Sequence, residues 1–453
     1  MTQRKFHFTS ALTASGWQSN VGISVDAAGV IESIESGVRG EPRIKGIAIP
    51  AMPNVHSHAH QRLMVGLAER AGPGADSFWT WREAMYGFAL KLSPDDLEAV
   101  AAQAYVEMLK AGFSCVGEFQ YLHHQPDGQA YDEPAEMSLR CLSAAEQAGI
   151  AITMLPTLYN YAGFGGQRAT AGQRRFVNDA DRFLRIYETL SSVCAVNPLR
   201  RLGISPHSLR AVTPELLKTV MAGIADDARV HIHVAEQTRE VDDCLAWCGQ
   251  RPVEFLLGQF AVSQRWCAIH ATHMTADETQ RLATSRAIVG LCPTTEANLG
   301  DGTFPADHFM KQGGAIAIGS DSQISISPAE DLRQLEYSQR LRDHTRNALA
   351  SGAGASTGRT VFAAALKGGA ACLDQPVGAI AVGLRCDIAV LDGEHPQMLA
   401  RDGDASLDSW IFSAGNGAVK DMIVAGVHVV QDRKHRNEDQ IKNKFAETVR
   451  RLS

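Results

Sequence analysis

The chain has 453 residues, of which 45% are hydrophobic and 21% charged, the composition of an ordinary water-soluble globular protein. Its formal charge is −7 without long runs of one sign, which gives no electrostatic reason to expect nucleic acid or an anionic membrane as a partner. The length predicts more than one small domain, but one of these is allowed to be large, since a single α/β barrel takes about 250 residues or more.

The N-terminal sequence and the cysteines indicate the compartment. Residues 1–20 lack the long apolar core of a signal peptide, and no apolar stretch is long enough to span a bilayer. The nine cysteines are odd in number and scattered, which favours buried, reduced thiols over a disulfide framework. We therefore expect a cytoplasmic protein.

Three segments differ in their pattern of apolar residues. Residues 1–50 alternate short apolar runs with turn signals, as in VGISVD followed by AAG, and residues 375–453 show similar runs broken by Gly and Asp. Residues 51–374 instead contain helical patterns such as SPDDLEAVAAQAYVEMLKAG, in which SPDD favours a helix start and the glycine a stop. We predict that the two end segments, with a helix at the C-terminus, form one small β-sandwich domain beside the middle segment.

Eight short apolar runs follow one another, most of them separated by helical patterns. They are GIAIPAMPNVHSH, GFSCVGEF, IAITMLPTLY, RLGISPHSL, ARVHIHVAE, RWCAIHATH, AIVGLCPTT and GAIAIGSDS. Repeated strand–helix units form a parallel sheet, and eight of them suggest a closed barrel. The predicted fold class is therefore α/β, a (β/α)8 TIM-like barrel flanked by the β domain from both termini.

The stretch MPNVHSHAH places His56, His58 and His60 at alternate positions after the first run. Side chains two residues apart on an extended chain point to the same side, so these rings are able to face one spot. Taken alone, the stretch suits a metal site and an ordinary polar turn about equally.

Polar residues also follow the other predicted barrel strands, at the end where such barrels carry their chemistry. They are Glu118, His207 with Arg210, His233 with Glu236, His270, and Asp321. Catalytic zinc takes nitrogen and oxygen ligands and keeps a position open for water, whose pKa it lowers. That chemistry is matched by four candidate ligands, His56, His58, His233 and Asp321. Glu236 and His270 then remain to move protons.

Several motifs resemble the amidohydrolase superfamily, and its mononuclear deaminase branch most closely: HSH, HVAE, IHATH and GSDS. Longer stretches over nearly the whole chain resemble the formimidoylglutamate deiminases, among them DSFWTWREAMY, NYAGFGGQ, SPHSLRAVTP and LCPTTEANLGDGTFP. The metal motif is shared by the whole superfamily, whereas FWTWRE together with TEANLGDG is much more specific.

The resemblance implies hydrolysis of N-formimidoyl-L-glutamate to N-formyl-L-glutamate and ammonia, a step of histidine degradation. It implies zinc on His56, His58, His233 and Asp321, with iron or manganese as alternative ions. Glu236 would protonate the imino nitrogen, His270 would assist water activation and stabilise developing charge, and Asp321 would also take the proton of the water. One ion is expected, because related two-metal barrels use a lysine carbamate and this chain has no lysine between Lys110 and Lys218.

The tail of such a substrate carries two carboxylates, which need cations or several donors when buried. Arg82, which follows Trp79 and Trp81 in an aromatic-rich stretch, and Arg210 suit bidentate pairing. The resemblance adds Gln61, Tyr121 and His207 as further contacts. The plainer explanation for each is a surface arginine or a packed side chain. A lid is expected around residues 72–90 or 160–172, and a homodimer is common among relatives.

Three positions depart from the family pattern. His60 stands in place of an aromatic residue, and Gln120 and Gln323 stand where the patterns EFHY and SDSH have histidine. We favour neutral drift over a shifted substrate such as a shorter acidic or guanidino analogue.

Two other functions remain open: a deaminase of a purine, pyrimidine or triazine ring, and a catalytically silent scaffold. The complete set of candidate ligands argues against the scaffold.

Overall fold

The computed structural model describes residues 4–41, 43–69 and 78–452, without the side chains of residues 78–80 and 84. Its first four strands are β1 (Arg4–Thr13), β2 (Gly16–Val25), β3 (Ile31–Glu35) and β4 (Ile44–Pro50). β1 pairs antiparallel with β2 and parallel with β4, and β2 pairs antiparallel with β3. The strand signals of the N-terminal segment are thus confirmed.

The middle of the chain alternates strands and helices. In the first half these are β5 (Met52–Ser57), a 3₁₀ helix (Ala59–Met64), α1 (Phe78–Ala89), α2 (Pro94–Ala111), β6 (Phe113–Gln120), α3 (Glu136–Ala148), β7 (Ala151–Leu158), the short strands β8 (Tyr161–Gly163) and β9 (Gln167–Arg168), a 3₁₀ turn (Ala171–Gln173), α4 (Ala180–Ala195), β10 (Arg200–Pro206) and α5 (Pro214–Ala222). In the second half these are β11 (Arg229–Val234), α6 (Thr238–Cys248), α7 (Pro252–Gln259), β12 (Trp266–His270), α8 (Ala276–Ser285), β13 (Ile288–Leu291), α9 (Pro293–Leu299), α10 (Ala306–Lys311), β14 (Ala315–Ile318), α11 (Pro328–Asp343) and α12 (Thr357–Leu373).

Eight of these strands form a parallel barrel in the order β5, β6, β7, β10, β11, β12, β13, β14. The two outer strands meet just beyond their ends, where Asp321 N–H donates to the His56 carbonyl at 2.9 Å and His58 N–H donates to the Asp321 carbonyl at 3.1 Å. The predicted (β/α)8 barrel is confirmed, and each of its strands corresponds to one of the eight apolar runs.

The C-terminal part returns to the N-terminal strands. Its elements are β15 (Ile388–Leu391), α13 (Asp404–Ser409), a π-helical turn (Trp410–Ala414), a 3₁₀ turn (Gly415–Ala418), β16 (Val419–Val424), β17 (Val427–Gln431), β18 (Lys434–His435) and α14 (Glu438–Leu452). β15 pairs antiparallel with β4, so both termini build one eight-stranded sheet. This sheet has a core of its own, which includes Phe8, Val21, Ile388 and Ile423. The domain limits at residues 50 and 374 stay a prediction.

Helix α2 shows how local chemistry sets the element ends. Ser93 caps it by accepting from Asp96 N–H at 3.2 Å, while the Asp96 carboxylate accepts from Ser93 N–H at 2.9 Å. Gly112 ends it at φ 113°, a conformation that a residue with a Cβ rarely adopts. The helix start and stop expected from SPDD and the glycine are both present.

The nine cysteines all lie in the described residues, and none of them is in a disulfide; eight are buried. In the described part of the chain, no helix combines the length and apolar character needed to cross a bilayer.

Candidate active site

Four side chains from three strand ends converge above the barrel. Nε2 of His56 lies 3.0 Å from Nε2 of His233 and 3.3 Å from Oδ1 of Asp321. Nε2 of His58 lies 3.4 Å from the same carboxylate oxygen. The barrel brings these residues together because β5, β11 and β14 all end on the same rim.

The protonation of these rings fits a cation at their centre. Nδ1–H of His58 donates to the Phe119 carbonyl and Nδ1–H of His233 to that of His207, each at 2.9 Å. Burial lowers the pKa of both histidines, so each ring is neutral and presents an Nε2 lone pair inward. These lone pairs converge with a carboxylate oxygen, and a metal ion is the group that satisfies them together. The donor set of three imidazoles and one carboxylate suits zinc.

Two further groups face the same spot. Nε2 of His270 lies 3.8 Å from Oε1 of Glu236 and 3.8 Å from Oδ2 of Asp321. Burial raises the pKa of Glu236 above its ordinary value. Burial disfavours a charged His270, but Glu236, Glu296 and Asp321 outweigh that cost and raise its pKa to about 10. The arrangement therefore sets a protonated imidazole beside a carboxyl group that is readily protonated.

The backbone is strained at this rim. His270 has φ 67° and Asp321 has φ 47°, values in the left-handed region that residues other than glycine seldom occupy. Such conformations persist when surrounding contacts hold them, and they are frequent at functional sites.

One cavity opens onto this cluster, and it takes in most of the predicted site. Its lining includes His58, Gln61, Arg82, Tyr121, His207, Arg210, His233, Glu236, His270 and Asp321. His56 is fully buried behind this surface. The predicted substrate contacts thus all lie around the same cavity as the predicted metal ligands and the two residues predicted to transfer protons. The role of each residue stays a prediction.

The two predicted tail-binding arginines have different surroundings. Nη2 of Arg210 lies 3.9 Å from Oε2 of Glu236 and 4.0 Å from Oε2 of Glu240, and the residue is buried. Arg82 lies on α1, with its guanidinium carbon 5.5 Å from the centre of the Tyr86 ring. Both arginines line the cavity, so cationic groups and the reactive cluster share one space.

The three departures from the family pattern lie outside this lining. His60 Nε2 is 2.8 Å from the Tyr121 hydroxyl, one layer behind the cavity wall. Gln120 points towards α3, where its Nε2 donates to the Met137 carbonyl at 3.5 Å. Gln323 is fully buried and donates to the Ser57 hydroxyl at 3.0 Å. None of the three lines the cavity that holds the predicted substrate contacts.

Sequence reasoning missed several residues of the site. Glu296, on α9, has Oε1 at 3.2 Å from His270 Nδ1, and an acidic residue just after a barrel strand was the available signal. The aromatic part of the cavity wall was also missed: Trp81, Tyr86, Tyr159 and Phe176. These aromatic residues carry no common local pattern, because helix α1 and two separate loops contribute them.

The expected lid segments both reach the cavity. Within residues 72–90, residues 72–77 lie outside the described part of the chain, as does the Trp79 side chain, while α1 supplies Trp81, Arg82, Met85 and Tyr86. The segment 160–172 supplies Ala162 from the short hairpin of β8 and β9. Closure by either segment stays a prediction.

A (β/α)8 barrel with a His-X-His pair after its first strand, histidines after its fifth and sixth, and an aspartate after its eighth defines the metal-dependent amidohydrolases. Residues 47–429 match the family model described as "Amidohydrolase family". The chain therefore belongs to the amidohydrolase family.

Further comparisons show which amidohydrolases the chain resembles. Residues 3–43 match the model "Formimidoylglutamate deiminase HutF, N-terminal domain". The chain is 50% identical over 448 residues to a formimidoylglutamate deiminase of Pseudomonas aeruginosa, covering 98% of each chain. The resemblance inferred from the motifs is confirmed.

Solved structures agree with the fold. An amidohydrolase from Brucella melitensis is 48% identical and superposes with a TM-score of 0.94 over 99% of each chain. A zinc-bound adenosine deaminase from Xanthomonas campestris is 21% identical, with a TM-score of 0.82 over 99% of this chain and 98% of that one. At 21% identity, the similarity to the adenosine deaminase shows a shared fold and nothing more.

Proposed function

We propose that this enzyme hydrolyses N-formimidoyl-L-glutamate to N-formyl-L-glutamate and ammonia in histidine degradation, with one zinc ion on His56, His58, His233 and Asp321. The proposal includes a homodimer, on the resemblance to relatives, and a cytoplasmic location, on the unpaired buried thiols. The relative of the same name at 50% identity supports the reaction. Iron or manganese remains an alternative ion for the same ligands.

One observation carries the proposal: Arg82 and Arg210 line the same cavity as Glu236, His270 and Asp321. A dicarboxylate tail needs charge-assisted donors once it leaves water, and arginine supplies them in pairs. An imine-like head group needs a proton donor and a hydrolytic centre. The cavity offers arginines for the dicarboxylate tail and, beside them, a proton donor and a hydrolytic centre for the head group.

The residues of the site suit the bond changes. A divalent ion held by the four ligands would lower the pKa of a water molecule and make it a nucleophile. Water adds to the formimidoyl carbon, and the bond from that carbon to the terminal nitrogen breaks as the nitrogen leaves as ammonia. The terminal nitrogen gains two protons as it becomes ammonia: Glu236 supplies one, which its raised pKa favours, and Asp321 takes a proton from the water and passes it to that nitrogen. The remaining hydroxyl proton returns to Glu236 as the formyl group forms. His270 donates from Nε2 to the oxygen where negative charge develops.

The experiment measures ammonia release by the purified holoenzyme from three compounds. They are formimidoylglutamate, the tail-free compound formamidine, and adenosine as a flat-ring substrate. We expect formimidoylglutamate to react with by far the highest kcat/KM, because only it engages both arginines. Adenosine as the best substrate would instead support a ring deaminase. No ammonia from any of them, together with no stoichiometric metal, would support a silent scaffold.

Metal and assembly need separate measurements. Elemental analysis of the purified protein should give about one zinc per chain, and another metal in that amount would replace zinc in the proposal. Light scattering at several protein concentrations tests the homodimer, which a mass equal to that of one chain would refute.

A further inference from the structure

A buried chain of hydrogen bonds links the strand ends that carry the predicted metal ligands. We call it the Glu118–Gln323 chain, and its members are Asn54, Ser57, Glu118, Ser320 and Gln323. All five are at most 1% exposed. None of them lines the cavity, so substrate contact does not account for this concentration of buried polar groups.

Glu118 fixes the backbone on both sides of His58. Its Oε2 accepts from the Ser57 hydroxyl at 2.6 Å, and its Oε1 accepts from Ala59 N–H at 2.9 Å. The Tyr105 hydroxyl also donates to Oε2, at 3.1 Å. A buried carboxylate with three donors holds the residues before and after His58 in one place.

Gln323 carries the same chain across to Asp321. Its Nε2 donates to the Ser57 hydroxyl at 3.0 Å and to the Asp321 carbonyl at 2.8 Å. Its Oε1 accepts from the Ser320 hydroxyl at 2.9 Å. The amide therefore joins the end of β5 to the turn after β14, where the barrel closes.

Asn54, on β5, forms the remaining hydrogen bonds of the chain, both to Ser320 in the turn after β14. Its Oδ1 accepts from Ser320 N–H at 3.0 Å, and its Nδ2 donates to the Ser320 hydroxyl at 2.7 Å. The side-chain donors along this path all point in one direction, from Asn54 through Ser320 and Gln323 to Ser57 and Glu118, while the Ser320 backbone N–H donates back to Asn54.

The backbone of this turn needs such support. Asp321 and Gln323 have φ 47° and 62°, both in the left-handed region, and neither is glycine. A conformation of that kind persists only where other contacts determine it. The bond from the Gln323 amide to the Asp321 carbonyl spans this turn.

We propose that Gln323 and Glu118 are positioning residues that hold His58 and Asp321 in the geometry needed to bind the metal. The inference rests on the proposed metal site but not on the identity of the substrate. Groups that orient metal ligands typically change metal affinity by 10- to 100-fold when they are removed. Breaking the chain should therefore weaken metal binding and lower kcat, with little change in KM.

The test compares three variants of the full chain. Q323M keeps the length of the side chain and removes its hydrogen bonds. Q323H keeps a donor and introduces the residue of the family pattern. Q339M is the matched control, since Gln339 is equally buried and its Nε2 donates to the Phe304 carbonyl at 3.0 Å, away from the site. The zinc dissociation constant is measured by chelator competition without substrate, and kcat and KM are measured at saturating zinc.

We expect Q323M to bind zinc about 10- to 100-fold more weakly than the wild type, with kcat reduced and KM unchanged. Q323H should recover most of this affinity, and Q339M should bind zinc like the wild type. Wild-type affinity in Q323M, or an equal loss in Q339M, would overturn the proposal. If Q323M does not fold, S57A breaks the same chain between Glu118 and Gln323 and is judged by the same criteria.

The zinc readout needs no substrate, which keeps this inference separate from the proposed reaction. Weak zinc binding by Q323M, in a protein that leaves formimidoylglutamate intact, would support the positioning role and refute the substrate. Unchanged zinc binding by a Q323M variant that hydrolyses formimidoylglutamate would refute the positioning role and support the proposed substrate.

Discussion

Nδ1 of His270 lies 3.2 Å from Oε1 of Glu296, and both side chains are buried. The same carboxylate oxygen accepts from Cys292 N–H at 2.9 Å, which holds it in place at the start of α9. His270 is therefore oriented with Nε2 towards Glu236 and Asp321, and its Nδ1 carries a hydrogen. The hydrogen bond to Glu296 fixes the direction of the ring, and Glu296 acts with Glu236 and Asp321 to raise the pKa of His270.

Replacing Glu296 by glutamine should reduce kcat about 10- to 100-fold, because a charge-assisted hydrogen bond of roughly 1.5–3 kcal/mol is lost. KM and zinc content should stay near wild type, since Glu296 is not a predicted ligand or tail contact. The pH–rate profile should shift as well, because Glu296 helps to raise the pKa of His270. E188Q, at an exposed position of α4, is the control. A wild-type kcat for E296Q would contradict this role.

Removing either tail-binding arginine should lower kcat/KM for formimidoylglutamate about 10- to 100-fold. Formamidine has no carboxylates, so R82M should hydrolyse it like the wild type. R210M should in addition change the pH profile, because Arg210 opposes the raised pKa of Glu236. R281M, on the surface of α8, serves as the control. Equal losses on both substrates would argue against carboxylate binding by Arg82.

Removing the metal should abolish activity and lower the midpoint of thermal unfolding. An ion that binds only the folded state contributes about 4 kcal/mol when present at 1,000 times its Kd. His233 and His231 provide a matched pair on β11, since His231 Nε2 donates to the Cys372 carbonyl instead of facing the cluster. H233Q should lose zinc, whereas H231Q should keep it despite lower stability. Equal zinc contents in the two variants would refute His233 as a ligand.

His435 should make the fold sensitive to acid. Its Nε2–H donates to the Ala148 carbonyl at 2.7 Å, and its Nδ1 accepts from Asn437 N–H at 3.1 Å, so only the neutral ring makes both bonds. Burial lowers its pKa below 6.5. The stabilisation is therefore complete above the unfolded-state pKa of about 6.5 and is lost as the pH falls from there towards the folded-state pKa.

The measurement is the thermal midpoint between pH 8 and pH 5. We expect H435Q to melt below the wild type at pH 8 but to lose less on acidification, because it has no ring to protonate. H308Q, at an exposed position of α10, should follow the wild type throughout. An H435Q curve parallel to that of the wild type would mean that His435 does not contribute to acid sensitivity.

The barrel and the clustering of the candidate metal ligands were predictable from the sequence for a local reason. Each barrel strand is a short apolar run, and a polar residue at its end marks the rim where parallel strands bring separate segments together. His56, His58, His233 and Asp321 needed no more than that pattern and the topology. The same holds for His270 and Glu236.

Contacts beyond the strand ends depended on the tertiary structure. Nothing in TTEANL alone shows that Glu296 reaches His270, and nothing near Gln323 shows that its amide meets Ser57, 266 residues away along the chain. The period of side chains along a strand is a local property that the sequence determines. Which buried polar groups meet depends on how the barrel closes and on the strained turns that this closure holds, and that is decided only when all eight strands are in place.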